Sequence, residues 1–426
     1  MPIFLLSSRH FGIVMLLMKK VAPEVEAFAR IKVVGVGGSG TNAVNHMVNS
    51  KVKGVEFIVV NTDAQDLHKA LAKERIHIGK NLTRGLGTGM NPELGKRAAE
   101  ETRDEIQEAL KGADMVFVAC GYGGGTGSGA SQVVAKIARE GGALTVGVVT
   151  KPFYFEGTQR MQIALQWLEE FRREVDAIIV IPNDKLLAIV EKETTVKNAF
   201  AICDEVLKNA VEGISDLITT TGIINVDFAD IRSIMKNAGG ALMGIGIASG
   251  ENRASVAARN AINSPLLDVT ITGAKGVLFA VAGNDDMTML EIQEAAKTIT
   301  EAVDPNAKVI FGAIRDEKLN KGEIKVTVIA SGFPEGENGA PSPLFQDMSQ
   351  TDTTAPERTE EVAKESPKEK GRIHNTVDLT GRTAGNIPEP KNTEDVAPKQ
   401  VEKKVPIQDN DDDDWGVVPA FLRRKR

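Results

Sequence analysis

From residue 31 onward, short apolar runs alternate with segments whose apolar positions recur every three or four residues. The runs at 31–36, 57–60, 115–120, 144–150 and 177–181 read as strands buried on both faces, with helices between them. This alternation predicts an α/β unit, a Rossmann-like parallel sheet covered on both sides, with ligands bound at the carboxyl ends of its strands. A longer pattern follows, in which Val196, Ala199, Phe200, Cys203, Val206, Leu207, Ala210, Val211, Ile214, Leu217 and Ile218 form one stripe. It predicts a single helix over 196–218, a rod of about 34 Å. Beyond Gly222 the pattern changes again. Strands at 242–248, 277–282, 308–314 and 324–330, with helices near 252–263 and 289–303, predict a second α+β domain with a mixed four-stranded sheet.

After residue 333 the chain becomes rich in Pro, Glu, Lys, Thr, Asn and Asp, and residues 346–414 contain no aromatic side chain. No core can form there, so a disordered linker is expected, with a root-mean-square span of roughly 45 Å. It ends in four aspartates at 411–414, Trp415, an apolar stretch at 417–422 and four basic residues at 423–426, which together suggest a docking peptide on a tether. At the other end, the apolar stretch at 11–18 is too short to span a bilayer, and its charges, Lys19 and Lys20, follow it. An over-extended start or a disordered extension is expected for residues 1–30. The predicted organisation is therefore extension (1–30), first domain with the long helix (31–222), second domain (223–333), linker (334–410) and terminal peptide (411–426).

Composition narrows the function classes. The 426 residues are 42% hydrophobic and 26% charged, enough to bury a large core, and the net charge of −7 argues against nucleic acid as a partner. Cys120 and Cys203 fall within apolar patterns, as reduced core thiols of a cytoplasmic protein do, and the five histidines have no metal-ligand spacing.

Two glycine-rich runs follow predicted strands. The first, at 35–40, fits G-x-G-x-x-G, with acidic Asp63 some distance on, and alone would indicate a dinucleotide dehydrogenase. The second, at 123–129, has five glycines in seven residues between a strand and a helix. Its backbone N–H groups and the following helix dipole suit a phosphate. A pyrophosphate needs one such loop, whereas two on neighbouring strands can enclose a triphosphate. No Walker lysine is present, so such a site relies on backbone N–H groups, helix dipoles and Mg²⁺.

Polar residues elsewhere have two readings each. Asp204, off the apolar stripe, could accept the N1–H and 2-amino protons of guanine, or be a solvated acid in the helix's early turns. Phe200 could stack on a base or pack in the core. Glu156 and Arg160, four apart, could bracket ribose or phosphate, or form a surface ion pair. Asp227 and Asp230, three apart at a predicted helix start, suit polarising a water or holding a cation, although one Asp there would serve as an N-cap. If Asp204 touches the base, the helix carries these two acids about 22 Å away by Thr219. They would then act only on a neighbour's nucleotide, and a repeated head-to-tail contact builds an open filament.

These motifs resemble the FtsZ family of bacterial tubulin-like cell-division GTPases. The run at 123–129 matches its signature GGGTG[ST]G, and 37–45, 61–65, 152–157 and 225–230 match its other loops, so the resemblance covers about 31–333. The resemblance implies the tubulin/FtsZ fold and GTP binding by Gly38, Ser39, Gly40, Thr41, Asn42, Gly124, Gly125, Thr126, Gly127, Glu156, Arg160, Phe200 and Asp204. It further implies that Asn225, Asp227 and Asp230 complete the site of the adjoining subunit, with Mg²⁺ held mainly by the phosphates and not by protein ligands. Members of the family polymerise with GTP into a ring at mid-cell, and a terminal peptide like 415–426 binds membrane adaptors such as FtsA, without membrane insertion. Ser39 and Thr41 replace glycines usual in the first loop, and Thr88 and Met90 are larger than the usual alanines. Two competing readings are an NAD(P)-dependent oxidoreductase, resting on 35–40 and Asp63, and a GTP switch that does not polymerise.

Overall fold

The computed structural model describes residues 29–187, 194–220, 222–264, 271–316 and 318–333. Most of the expected extension, the linker at 334–410 and the docking peptide at 411–426 lie outside the described residues.

Ten strands form one sheet. They are β1 (Ile31–Val36), β2 (Val55–Asn61), β3 (Glu74–His77), β4 (Met115–Gly121), β5 (Leu144–Lys151), β6 (Ala177–Pro182), β7 (Gly239–Ser249), β8 (Gly276–Gly283), β9 (Lys308–Arg315) and β10 (Glu323–Ser331). Their order across the sheet is β3-β2-β1-β4-β5-β6-β7-β10-β8-β9. From β3 to β7 every pairing is parallel, with Val36 opposite both Val60 and Cys120. β10 runs antiparallel between β7 and β8, and β8 pairs with β9 in parallel, so the last four strands are mixed as expected.

Three expectations change in detail. First, the four later strands do not make a sheet of their own, because Ala177, Ile178 and Ile179 of β6 pair with Gly239, Gly240 and Ala241 of β7. Second, β3 escapes the apolar pattern, since Glu-Arg-Ile-His at the sheet edge buries only Ile76. Third, the run at 123–129 is only half loop: the helix Thr126–Glu140 begins inside it. The glycines at 127 and 129 serve close packing instead, for a Cβ on Gly129 would strike the backbone of Pro92 and Lys96.

The long helix is Val196–Thr219, begun by Thr195, whose hydroxyl accepts from Asn198 N at 3.3 Å. Its buried stripe shares one core with Val33 and Val146 of the parallel strands and with Leu278 and Ile329 of the mixed ones. The helix thus joins both halves. Among the described residues, no helix is long and apolar enough to cross a membrane.

Candidate nucleotide site

The strand order reverses between β1 and β4, which lie side by side while their following helices start on either side of the gap. Open α/β sheets bind ligands at such a switch point. Here a cleft of about 380 Å³ opens there, lined by the carboxyl ends of β1 and β4 at Val36 and Gly121. The helices Gly37–Asn49 and Thr126–Glu140 both start at this cleft, and neither has a side-chain cap. Two sets of unpaired amide N–H groups and two positive dipole ends therefore converge on one space, as an anion requires.

Glycine is needed where these two turns meet. Gly37 has φ +72°, and a Cβ on it would stand 2.8 Å from Gly127 N. By contrast, a Cβ on Gly124 would meet nothing within 4 Å, so the loop backbone lies open to a ligand there. Gly123 N is held by Ser128 Oγ at 3.1 Å, which fixes the turn from its own helix.

The other end of the cleft is built for a polar planar group. Asp204 lines it and accepts no hydrogen bond from a described residue; burial pushes its carboxyl up to about 7, against a partial pull down from His46. Asn183, just after β6, is buried with its Oδ1 unpartnered. The orphaned Asn183 Oδ1 and a carboxylate with no described hydrogen-bond donor, both in the lining of one cleft, leave acceptors that a ligand's N–H groups must satisfy. Phe200 is 42% exposed, lines the same end and meets Phe153 edge-on at 5.2 Å, so it faces the cleft from the rim of the core. Glu156 Oε2 accepts from Arg160 Nη1 at 2.9 Å, while its Oε1 accepts from Phe153 N at 2.9 Å, holding the pair at the wall. Cys203 also lines the cleft, but burial pushes its thiol up to about 12, and it remains an inert packing group.

The cleft thus brings together Gly38, Ser39, Gly124, Gly125, Thr126, Gly127, Glu156, Arg160, Phe200 and Asp204. Gly40, Thr41 and Asn42 are not part of its lining. Gly40 is buried, and a Cβ on it would stand 2.8 Å from the carbonyl carbon of Gly35. Thr41 is buried and donates to Gly37 O at 2.8 Å, and Asn42 is exposed on the helix. Asp63, the acid of the dehydrogenase reading, caps the helix Ala64–Lys69 by accepting from Gln65 N at 2.8 Å. Asn183 and Thr88 line the cleft without having been expected as ligands. Asn183 had a positional signal, as the first residue after a strand end on the ligand side of the sheet.

Asn225, Asp227 and Asp230 lie elsewhere, and all three are exposed. Asp227 is the N-cap of the helix Phe228–Met235, accepting from Ala229 N at 3.0 Å, and Asn225 Oδ1 accepts from Gly222 N at 2.6 Å. Their segment abuts the amino end of the sheet: Arg232 donates to Gly142 O, just before β5, and Gly239 N to Asp176 O, just before β6. The length of β5, about 23 Å, separates that end from the cleft.

Comparison with known proteins agrees with this geometry. Residues 30–191 match the model of the tubulin/FtsZ family GTPase domain, and residues 239–334 match that of the FtsZ family C-terminal domain. The FtsZ dimer of M. jannaschii superposes with a TM-score of 0.70 at 47% identity, covering 72% of this chain and 89% of that one. The GDP-bound CetZ1 monomer of Haloferax volcanii gives 0.63 at 25% identity, covering 72% and 94%. CetZ2 from the same organism, solved as a GTPγS-bound protofilament, gives 0.63 at 22% over the same shares and shows the fold alone. With both halves matched and 47% identity over 72% of its length, the chain belongs to the FtsZ family of tubulin-related GTPases.

Proposed function

We propose that this chain assembles head to tail with GTP and hydrolyses it at subunit interfaces, forming the division ring at mid-cell in the cytoplasm. The carrying observation is the position of Asp227 and Asp230, exposed at the amino end of the sheet while the cleft opens at the carboxyl end. One subunit then supplies the nucleotide, and the next supplies the acids that orient a water for attack on the terminal phosphate. Asn225, whose Oδ1 is engaged, offers its amide protons to the same water or phosphate. Exposed apolar residues near both ends support stacking: Tyr154 (85%) and Phe155 (60%) beside the cleft wall, and Ile223 (64%) beside the acids. Relatives fit the reading, since the FtsZ of M. jannaschii was solved as a dimer.

Within the cleft, Asp204 reads guanine with Asn183, Phe200 lies against the base, Glu156 and Arg160 contact the sugar side, and Gly38–Ser39 with Gly124–Gly127 hold the phosphates. Gly40 and Thr41 support the first helix turn from behind, and Asn42, exposed on the same helix, contacts the nucleotide from outside the cleft lining. Among the described residues, no group of three or more His, Cys, Asp or Glu gathers to hold a metal. Mg²⁺ in this reading draws its ligands from phosphate oxygens and water, neutralising the charge that hydrolysis develops. Residues 31–222 and 223–333 act as nucleotide-binding and acid-bearing domains, and the peptide at 411–426 docks on membrane adaptors such as FtsA.

Asp230→Ala tests the interface. It should bind GTP normally, lose hydrolysis, and poison wild-type activity beyond dilution when mixed with it. Wild-type activity should vanish below a critical concentration, with GTP-dependent pelleting above it. Activity strictly proportional to protein, without pelleting, would leave a GTP switch that does not polymerise.

A further inference from the structure

We propose that the Thr88 hydroxyl is a phosphate ligand, the last member of a three-hydroxyl chain that delivers one proton to the cleft. The inference rests on the nucleotide reading above and adds a residue to it. Thr62 Oγ1 lies 2.8 Å from Thr126 Oγ1, and Thr88 Oγ1 lies 3.3 Å from the same oxygen. None of the three oxygens meets another partner among the described residues. Three protons are thus available for two hydrogen bonds, and one O–H is left without a protein acceptor.

Burial decides where that proton is. Thr62 has no exposed surface and does not line the cleft, so its hydroxyl donates to Thr126. The spare proton therefore belongs to Thr126 or Thr88, both of which line the cleft. Thr88 Oγ1 lies 2.0 Å from where a Cβ on Gly125 would fall, against the N-cap residue of the helix Thr126–Glu140. The positive end of that helix draws the oxygen's lone pairs inward and turns its proton outward. Thr126 then donates to Thr88, and Thr88 donates into the cleft. An anionic oxygen is the acceptor this space suits, because the uncapped amides of two helices converge on it. The chain also ties together the end of β2, the segment carrying Thr88 and the start of the helix at Thr126, so a bound phosphate reads the closure of all three.

Binding of GTP to the full-length protein, measured by titration calorimetry, tests this with three variants. Thr88→Val keeps the side-chain shape and removes the hydroxyl; Thr88→Ala and Thr88→Ser differ from each other by that oxygen alone. A lost hydrogen bond to a charged group predicts binding weaker by about tenfold or more for Val and Ala, with Ser restoring wild-type affinity. The Ser and Ala pair share the loss of the methyl group, so any general loosening cancels between them. The proposal is overturned if Val and Ala bind GTP as wild type does, or if Ser binds as weakly as Ala. Failure of the wild-type protein to bind GTP would instead refute the nucleotide site itself.

Discussion

Asp204 should make GTP binding depend on pH in a range where an ordinary aspartate would not. Burial raises its carboxyl from 3.8 to about 7, with no described hydrogen-bond donor to hold the charge. Guanine supplies two N–H donors, but only the ionised carboxylate accepts both. At pH 8 about nine-tenths of the carboxylates are ionised, and at pH 6 about one-tenth, so the affinity at pH 6 should be about tenfold weaker. The terminal phosphate of GTP also titrates near a pKa of about 6. Asp204→Asn, which retains one acceptor and has no charge to gain, reports every contribution but the carboxylate's, the phosphate's among them. The assay is the dissociation constant of GTP between pH 5.5 and 8 for both proteins, and the ratio of the two isolates the carboxylate. Parallel profiles would show that the Asp204 carboxylate does not hold the base. A linked effect has the opposite direction in the ligand-free protein. Folding raises this pKa, so the group's contribution to stability is fully present below pH 3.8 and is lost as pH rises through about 7. That loss is on the order of 4 kcal/mol, and the Asn variant should not show it.

Asn183→Leu should leave ligand-free stability unchanged or improved, because the buried Oδ1 has no partner to lose, yet weaken GTP binding by about tenfold; thermal unfolding and calorimetry read the two effects separately. Gly37→Ala puts a side chain at φ +72° and 2.8 Å from Gly127 N. It should destabilise the protein by about 1–3 kcal/mol in denaturant unfolding and abolish nucleotide binding. Arg253, whose side chain is 9% exposed, pairs with Glu291 at 2.6 Å and Asp286 at 2.8 Å. Arg253→Ala should cost about 3 kcal/mol in the same assay. The guanidinium holds Glu291 down at about 2, so this pair stabilises fully above pH 4.5 and is lost as pH falls through about 2. The variant should lack that part of the acid limb.

The elements most legible in the sequence were those whose burial is complete. β4 reads as an unbroken apolar run, and β1 as one broken only by Lys32, because helices cover both their faces, and the helix Val196–Thr219 kept its stripe through its whole length because one face meets a continuous core. β3 was illegible because an edge strand closes its backbone pairing on one side and needs little apolar surface. The start of the helix at Thr126 was hidden inside a glycine run, since glycine signals a loop locally and only the packing of Gly129 against Pro92 shows why a helix uses it. Asn183 and Thr88 carried little warning either, being single polar residues whose role comes from what stands opposite them across the cleft.

The parallel α/β framework, the two glycine turns, the long helix and the family could all be read along the chain, because local hydrogen bonding and periodic burial are written residue by residue. It took the folded chain to show that both turns open on one cleft, that Asp204 stands there without a described hydrogen-bond donor, and that Asp227 and Asp230 lie towards the other end of the sheet. Those facts depend on the order in which strands pair and on which groups burial leaves unsatisfied. Neither is a property of any single stretch of chain, since both arise where segments distant in sequence exclude water together.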